Sequence, residues 1–314
     1  MIKRAKSLVT QAAVMMALAA SPAAAAKVSL VGITVGSLGN PYYAVTDKGI
    51  ADKAHALTPD AKITTVSADY DLSKQFTQIQ NFIAAGAQII MLNAVDPVAI
   101  LPAVKMAEAD GIVIAAFDVA AQGAQVTVET DNVKAGYEAC QYIVAHLPAQ
   151  GGSVIIVNGP PISAFVDRLN GCKNALSANP AIRILSQDEN GLGSREGGFA
   201  KGQTLLERFP KVDAIFALND PMAIGVDLAA RQSGRHDFFI TSVDGSPDVE
   251  TELRDSHSLI KASSAQDPYD MAGAAYAYAV GILNGKAPPS KIILLAPKLV
   301  TTDNISSYAG WNTH

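Results

Sequence analysis

Polar residues recur in this 314-residue chain where apolar runs end, and their types suit recognition of hydroxyl groups. Asn93, Asp118, Asn219 and Asp244 each close such a run, and Gly36-Ser37-Leu38-Gly39-Asn40-Pro41-Tyr42-Tyr43 follows another. An Asn amide both donates and accepts, and a carboxylate can accept from two adjacent hydroxyls. Tyr42 and Tyr43 offer flat apolar surfaces with a polar tip, fit for the C–H face of a sugar ring. Arg168 brings a planar guanidinium that can fork onto two hydroxyls. Each residue also has an ordinary reading: Asn and Asp as turn formers, the Tyr pair as helix core, Arg168 as a salt bridge to Asp167.

The elements that must position these residues are short strands alternating with helices. Apolar runs of strand length occur at Val28–Val35, Ile63–Val66, Ile89–Leu92, Ile112–Phe117, Val154–Val157, Ala214–Leu218, Phe238–Val243 and Ile292–Leu295. Runs that are apolar at every position suit strands buried on both faces, as in a parallel sheet covered by helices. Between them, Leu72, Phe76, Ile79 and Ile83 fall on one helical face, as do Ala164, Leu169, Cys172 and Leu176. Asp96-Pro97, Asp220-Pro221 and Asp267-Pro268 each place a capping carboxylate before a proline that opens a helix. The expected fold is α/β, with two doubly wound, Rossmann-like lobes of parallel sheet. In such sheets ligands sit beyond the carboxyl ends of the strands, where the polar residues above fall.

The first 26 residues read as an export signal. Lys3, Arg4 and Lys6 precede an apolar stretch from Leu8 to Ala20, and Ser21-Pro22 and four alanines complete a cleavage region. The 288 residues that remain exceed what one core usually supports, so two domains are expected. Setting the three leader cations aside takes the formal charge from −5 to −8, and no long basic block occurs. A nucleic-acid partner is therefore not expected. Cys140 and Cys172 fall in neighbouring helices of one lobe, which leaves open a disulfide or two buried thiols. The five histidines lack metal-ligand spacing, and neither a phosphate loop nor a nucleophile elbow is present, so no metal, cofactor or catalytic role is expected.

The markers Gly39-Asn40-Pro41-Tyr42-Tyr43, Asp131-Asn132 with Gly136, Asp167-Arg168 with Gly171, Asn219-Asp220 with Met222-Ala223, and Asp244-Gly245-Ser246-Pro247-Asp248 stand in the order and spacing of a known family. Over essentially the whole exported part, the chain resembles the ribose-binding type of periplasmic sugar-binding proteins, the type I solute receptors of ATP-driven importers. The resemblance implies sugar contacts from Asn40, Tyr42, Tyr43, Asn93 and Asp118 in the first lobe. It implies Arg168, Asn219 and Asp244 in the second, and Gln266 from a hinge strand. It also implies a hinge-bending clamp, its first lobe formed by residues 27–130 and 266–295 and its second by 131–265 and 296–314. A membrane permease would be its partner, and a monomer is the default.

This chain departs from that family at three places. Val119 follows Asp118 where an arginine is usual, and Val243 precedes Asp244 where an aromatic residue is common. The loop from Asp188 to Gly198 is also longer and richer in glycine. The ligand expected is thus a monosaccharide or polyol: ribose, another pentose, a hexose or a sugar alcohol such as an inositol. A transcription regulator of related fold is excluded by the export signal and acidic charge. A periplasmic sensor feeding a membrane kinase or chemoreceptor is the alternative reading.

Overall fold

The computed structural model describes residues 27–311, so the export signal expected over residues 1–26 lies outside the described residues. One sheet contains β1 (Leu30–Val35), β2 (Lys62–Ser67), β3 (Ile89–Leu92), β4 (Val113–Phe117) and β5 (Val126–Thr130). Its helices are α1 (Pro41–Leu57), α2 (Leu72–Ala84) and α3 (Leu101–Ala109). The chain then crosses into α4 (Asn132–His146), β6 (Ser153–Val157), α5 (Ser163–Leu176), β7 (Arg183–Ser186), α6 (Arg195–Arg208) and β8 (Ala214–Ala217). It continues through α7 (Asp220–Ser233), β9 (Phe239–Asp244), α8 (Pro247–Arg254) and β10 (Ile260–Ala265), then returns as α9 (Pro268–Leu283) and β11 (Ile292–Leu295). It crosses a last time into β12 (Lys298–Thr301).

The strand orders are β11-β5-β4-β3-β1-β2 and β12-β10-β9-β8-β6-β7, with every pairing parallel except β10 with β12. β3, β4, β6 and β8 are buried along their whole length, as the unbroken apolar runs require. Four strands lack such runs and were not expected: β5, β7, β10 and β12. Two of the expected helix starts differ as well. No helix begins at Asp96-Pro97; Asp96 Oδ1 instead accepts from the amides of Val98 and Ala99 in a turn before α3. The cap of α7 is Asn219, not Asp220, which lies fully buried in the first turn. Asp267 does cap α9, accepting from the Asp270 amide.

In the second lobe, α4 and α5 lie backbone to backbone. A Cβ on Gly136 would overlap the Arg168 carbonyl oxygen, and one on Gly171 would overlap the Val133 carbonyl oxygen. Cys140 and Cys172 are joined across this contact by a disulfide, with Cα atoms 5.0 Å apart. The close approach fixes the height of Arg168 on α5. Trp311, expected with the tail in the second lobe, instead packs in the core of the first, edge-on to Tyr42 with ring centroids 5.5 Å apart.

At the seam between lobes, the Ala120 amide donates to Ser163 Oγ at 2.9 Å. Glu129 on β5 lies beside this seam, 8% exposed, and its Oε2 has no hydrogen-bond partner among the described residues. Burial, reinforced by Asp167 across the seam and by Asp118 and Asp131, pushes its carboxyl up to about 7. Below pH 4.5 the group is neutral in folded and unfolded chain alike. As pH rises from there to about 7, the unfolded chain releases the proton while the folded one keeps it, so stability falls.

Two predictions follow from this packing. Glu129→Gln should raise the melting temperature at pH 8, where the charge costs up to about 3 kcal/mol, and change it little at pH 4.5. Equal effects at both pH values would show that the carboxylate is not penalised by burial. Gly171→Ala should cost about 1–3 kcal/mol in urea unfolding, because the new methyl meets backbone that cannot rotate away. An unchanged midpoint would show that α4 and α5 separate freely.

Candidate ligand-binding cleft

Two strand-end aspartates, one from each lobe, anchor the cleft. Asp118 follows β4 with φ 64° and Asp244 ends β9 with φ 139°, both outside the region that side chains other than glycine prefer. Such backbone costs about 1–3 kcal/mol and tends to persist where the surroundings over-determine a functional position. Both carboxylates are buried.

In the first lobe Tyr42 Oη donates to Asp118 Oδ1 at 2.8 Å, and Asn93 Nδ2 donates to Asp118 Oδ2 at 2.8 Å. Asn93 Oδ1 in turn accepts from Tyr43 Oη and the Gly36 amide, each at 3.1 Å. Asn93 therefore stands behind Asp118 and orients it, rather than forming the cavity wall. Asn40 caps α1 by accepting from the Tyr42 amide at 3.0 Å, which leaves its amide nitrogen unengaged at the wall.

In the second lobe Arg168 is 3% exposed along its side chain. Its Nε donates to Asn132 Oδ1 at 2.9 Å, and Nη1 donates to the Leu218 carbonyl at 2.9 Å and to Asp244 Oδ1 at 3.1 Å. The ion partner is thus Asp244, not Asp167, and Nη2 remains available to a ligand. Gln266 Nε2 also donates to Asp244 Oδ1, at 2.7 Å, while Gln266 Oε1 accepts from Thr130 Oγ1 at 2.8 Å. Asn219 caps α7 through Oδ1 and donates from Nδ2 to the Gly193 carbonyl at 2.9 Å.

Asn40, Tyr42, Tyr43, Asp118, Arg168, Asn219, Asp244 and Gln266 line one narrow cavity of about 30 Å³. Tyr70, Ile162, Ala164 and Phe165 complete the wall and were missed in the sequence. Phe165 had a signal, since it precedes Arg168 by three residues on one helical face, and the guanidinium carbon lies 5.7 Å from its ring centre. Tyr70 had only its place after β2 to mark it.

Burial dominates the electrostatics. It raises the Asp118 carboxyl above its ordinary value against the pull of Arg168, Tyr42 and Asn93. It raises Asp244 to about 7, opposed by Arg168 and reinforced by Asp220 and Asp118. Asp220 is held apart from the cavity by Ser242 Oγ at 2.5 Å, Ser263 Oγ at 2.7 Å and the Ser246 amide at 2.7 Å. One guanidinium thus serves a site walled by two carboxylates, amides and aromatic rings. A neutral ligand with several hydroxyls can donate to the carboxylates and accept from Arg168 Nη2 and the Asn40 amide.

Comparison with known proteins agrees with this geometry. The periplasmic binding protein domain family matches residues 31–287. The ribose import binding protein of Bacillus subtilis (strain 168) is 31% identical over 259 residues, covering 82% of this chain and 82% of its own length. The xylitol-binding protein of Mycolicibacterium smegmatis is 24% identical over 279 residues, covering 88% of this chain and 78% of its own. The solved structure of the Caulobacter myo-inositol binding protein, bound to myo-inositol, superposes with a TM-score of 0.82 at 23% identity, over 91% of this chain and 97% of that one. With two parallel-sheet lobes, a polar cavity between them and a family match over most of its length, the chain belongs to the periplasmic binding protein family.

Proposed function

We propose that this protein is a periplasmic receptor that captures a monosaccharide or polyol between its lobes and delivers it to the permease of an ABC importer. The observation that carries this reading is the pair Asp118 and Asp244, contributed by opposite lobes to one buried cavity. Each is held by protein donors yet keeps acceptor capacity for hydroxyls. Ribose import, xylitol binding and myo-inositol binding among the relatives support the solute class.

The chain works as a monomeric clamp and not as an enzyme. Lobe one is residues 27–130 and 266–295 with Trp311 packed into its core, lobe two is 131–265 and the segment that begins at 296, and the hinges lie near Thr130-Asp131, Ala265-Gln266 and Ala296-Pro297. A ligand that bridges both lobes stabilises the closed arrangement, since it makes contacts that an open one lacks. Val119, fully buried after Asp118, supplies no donor, so the first lobe recognises hydroxyls chiefly through acceptors. That favours a ligand presenting hydroxyl hydrogens to Asp118 and oxygens to Arg168.

A thermal-shift screen against pentoses, hexoses and polyols should single out one ring or chain, with about 2.7 kcal/mol of stabilisation at a hundredfold excess over Kd. Asp118→Asn and Asp244→Asn should each weaken binding of that solute by about 1.5–3 kcal/mol in calorimetry. X-ray scattering should show compaction on saturation. Variants that bind as well as the parent would remove the two carboxylates from the site, and an unchanged scattering radius would remove the clamp.

A further inference from the structure

A second cavity lies against the outer side of the first, and the two share Asn40 and Tyr70 as wall. It spans about 440 Å³, open to solvent, between the loop before α1 and, in the other lobe, Leu192–Ser194 with the first turn of α6. The glycine-rich segment from Asp188 to Gly198 therefore has a place in the molecule: it is the far wall of this chamber. It walls the space without filling it. Gly193 sits at φ +65° against Phe165, and Leu192, at φ +58° and 59% exposed, lines the space.

Tyr70 borders both chambers, and it is held there at a conformational cost. Asp69 and Tyr70 have φ of 53° and 56°, and two consecutive left-handed residues other than glycine are disfavoured by about 1–2 kcal/mol each. The Tyr70 ring lies so close over Gly36 that a Cβ there would overlap it. A fixed aromatic ring that lines both spaces can stack a sugar ring on the outer side as well. Asn40 also lines both spaces, and among the described residues its amide nitrogen has no hydrogen-bond partner. A donor at that boundary is placed for the oxygen that would link an inner ring to an outer group. The outer walls are hydroxylated and charged, with Ser37, Ser194 and the Arg195–Asp248 ion pair at 2.5 Å.

We propose that the outer chamber is a subsite for a substituent joined to the captured ring through an oxygen, so that the receptor takes glycosides or disaccharide-sized carbohydrates. This rests on the sugar-receptor reading and deepens it. The space for the substituent adjoins the inner cavity where Asn40 and Tyr70 border both.

Calorimetric titration of paired probes tests it: D-ribose with methyl ribofuranoside, D-galactose with melibiose, and myo-inositol with galactinol. For the ring that binds, the substituted partner should bind within about threefold of the free one, or tighter. Gly39→Trp and, from the opposite wall, Leu192→Trp should fill the outer chamber only. A Cβ at Gly39 meets nothing nearer than Ser37 Oγ at 3.5 Å, so the residue itself fits. Each variant should weaken the substituted ligand by about tenfold or more and leave the free ring within about twofold. Free rings that bind while their derivatives are about a hundredfold weaker would overturn the subsite and leave the monosaccharide receptor standing. Tryptophan variants that weaken both ligands equally would also overturn it. Binding of no carbohydrate at all would remove the receptor reading, and the subsite with it.

Discussion

A carboxylate taken out of water must be met by donors, and the architecture between the two sheets follows from meeting that demand for Asp118 and Asp244. Asp244 receives Arg168 and Gln266 on one oxygen and the Asp220 amide on the other. Asp118 receives Tyr42 and Asn93. None of these donors comes from the strand that carries the acid, so each carboxylate ties several elements together. Arg168 requires α5 at a set height, which requires the close glycine contacts and disulfide with α4. Tyr42 requires α1 to begin where Asn40 caps it. Removing one donor would leave an acid buried with less than it needs, which is dearer than never having buried it.

The two sites are alike in plan and opposite in charge economy. Asp118 is held by neutral donors alone, whereas Asp244 has a guanidinium and a second buried acid, Asp220, nearby. Asp220 is satisfied locally by hydrogen bonds from serines of β9 and β10 and from the Ser246 amide, so it acts as a brace between strands and α7 rather than as a cap. This explains why β10 can be a central strand while carrying the sequence Ile-Lys-Ala-Ser-Ser-Ala. Its Ser263 is fully buried because an acid waits for it.

That same strand shows where sequence reading succeeds and where it stops. Eight strands are legible as apolar runs, and the unbroken ones, β3, β4 and β8, are covered on both faces, whereas β2 and β11 are partly exposed sheet edges. β5 and β10 are largely buried, yet polar residues interrupt their apolar signal: Thr127 and Glu129 on one face of β5, and the adjacent Ser263 and Ser264 on opposite faces of β10. β7 and β12 are sheet edges and need no second apolar face. Strand-end Asn and Asp were legible as a site because chain direction in a parallel sheet places them together. The roles within that set were not: Asn93 and Asp118 share one spacing rule, but only the hydrogen bonds show that one orients the other. Tyr70 depends on two left-handed residues in succession, which no residue type in Asp69-Tyr70 announces.

The cleft and the chain crossings share atoms, which has a mechanical consequence. Thr130 ends β5 where the chain leaves the first sheet, and its hydroxyl donates to Gln266, which begins the return crossing. Gln266 in turn donates to Asp244 in the cavity wall. Trp311 closes the set, its indole N–H donating to the carbonyls of Asp244 and Gln266 while its ring packs on Tyr42. A group bound at Asp244 therefore lies one hydrogen bond from a crossing strand, with no intervening layer of flexible side chains. Rotation of one lobe against the other must disturb Gln266, and a ligand that fixes Asp244 fixes Gln266 with it. Coupling between occupancy and lobe angle then needs no relay through the cores, which can remain rigid bodies on either side.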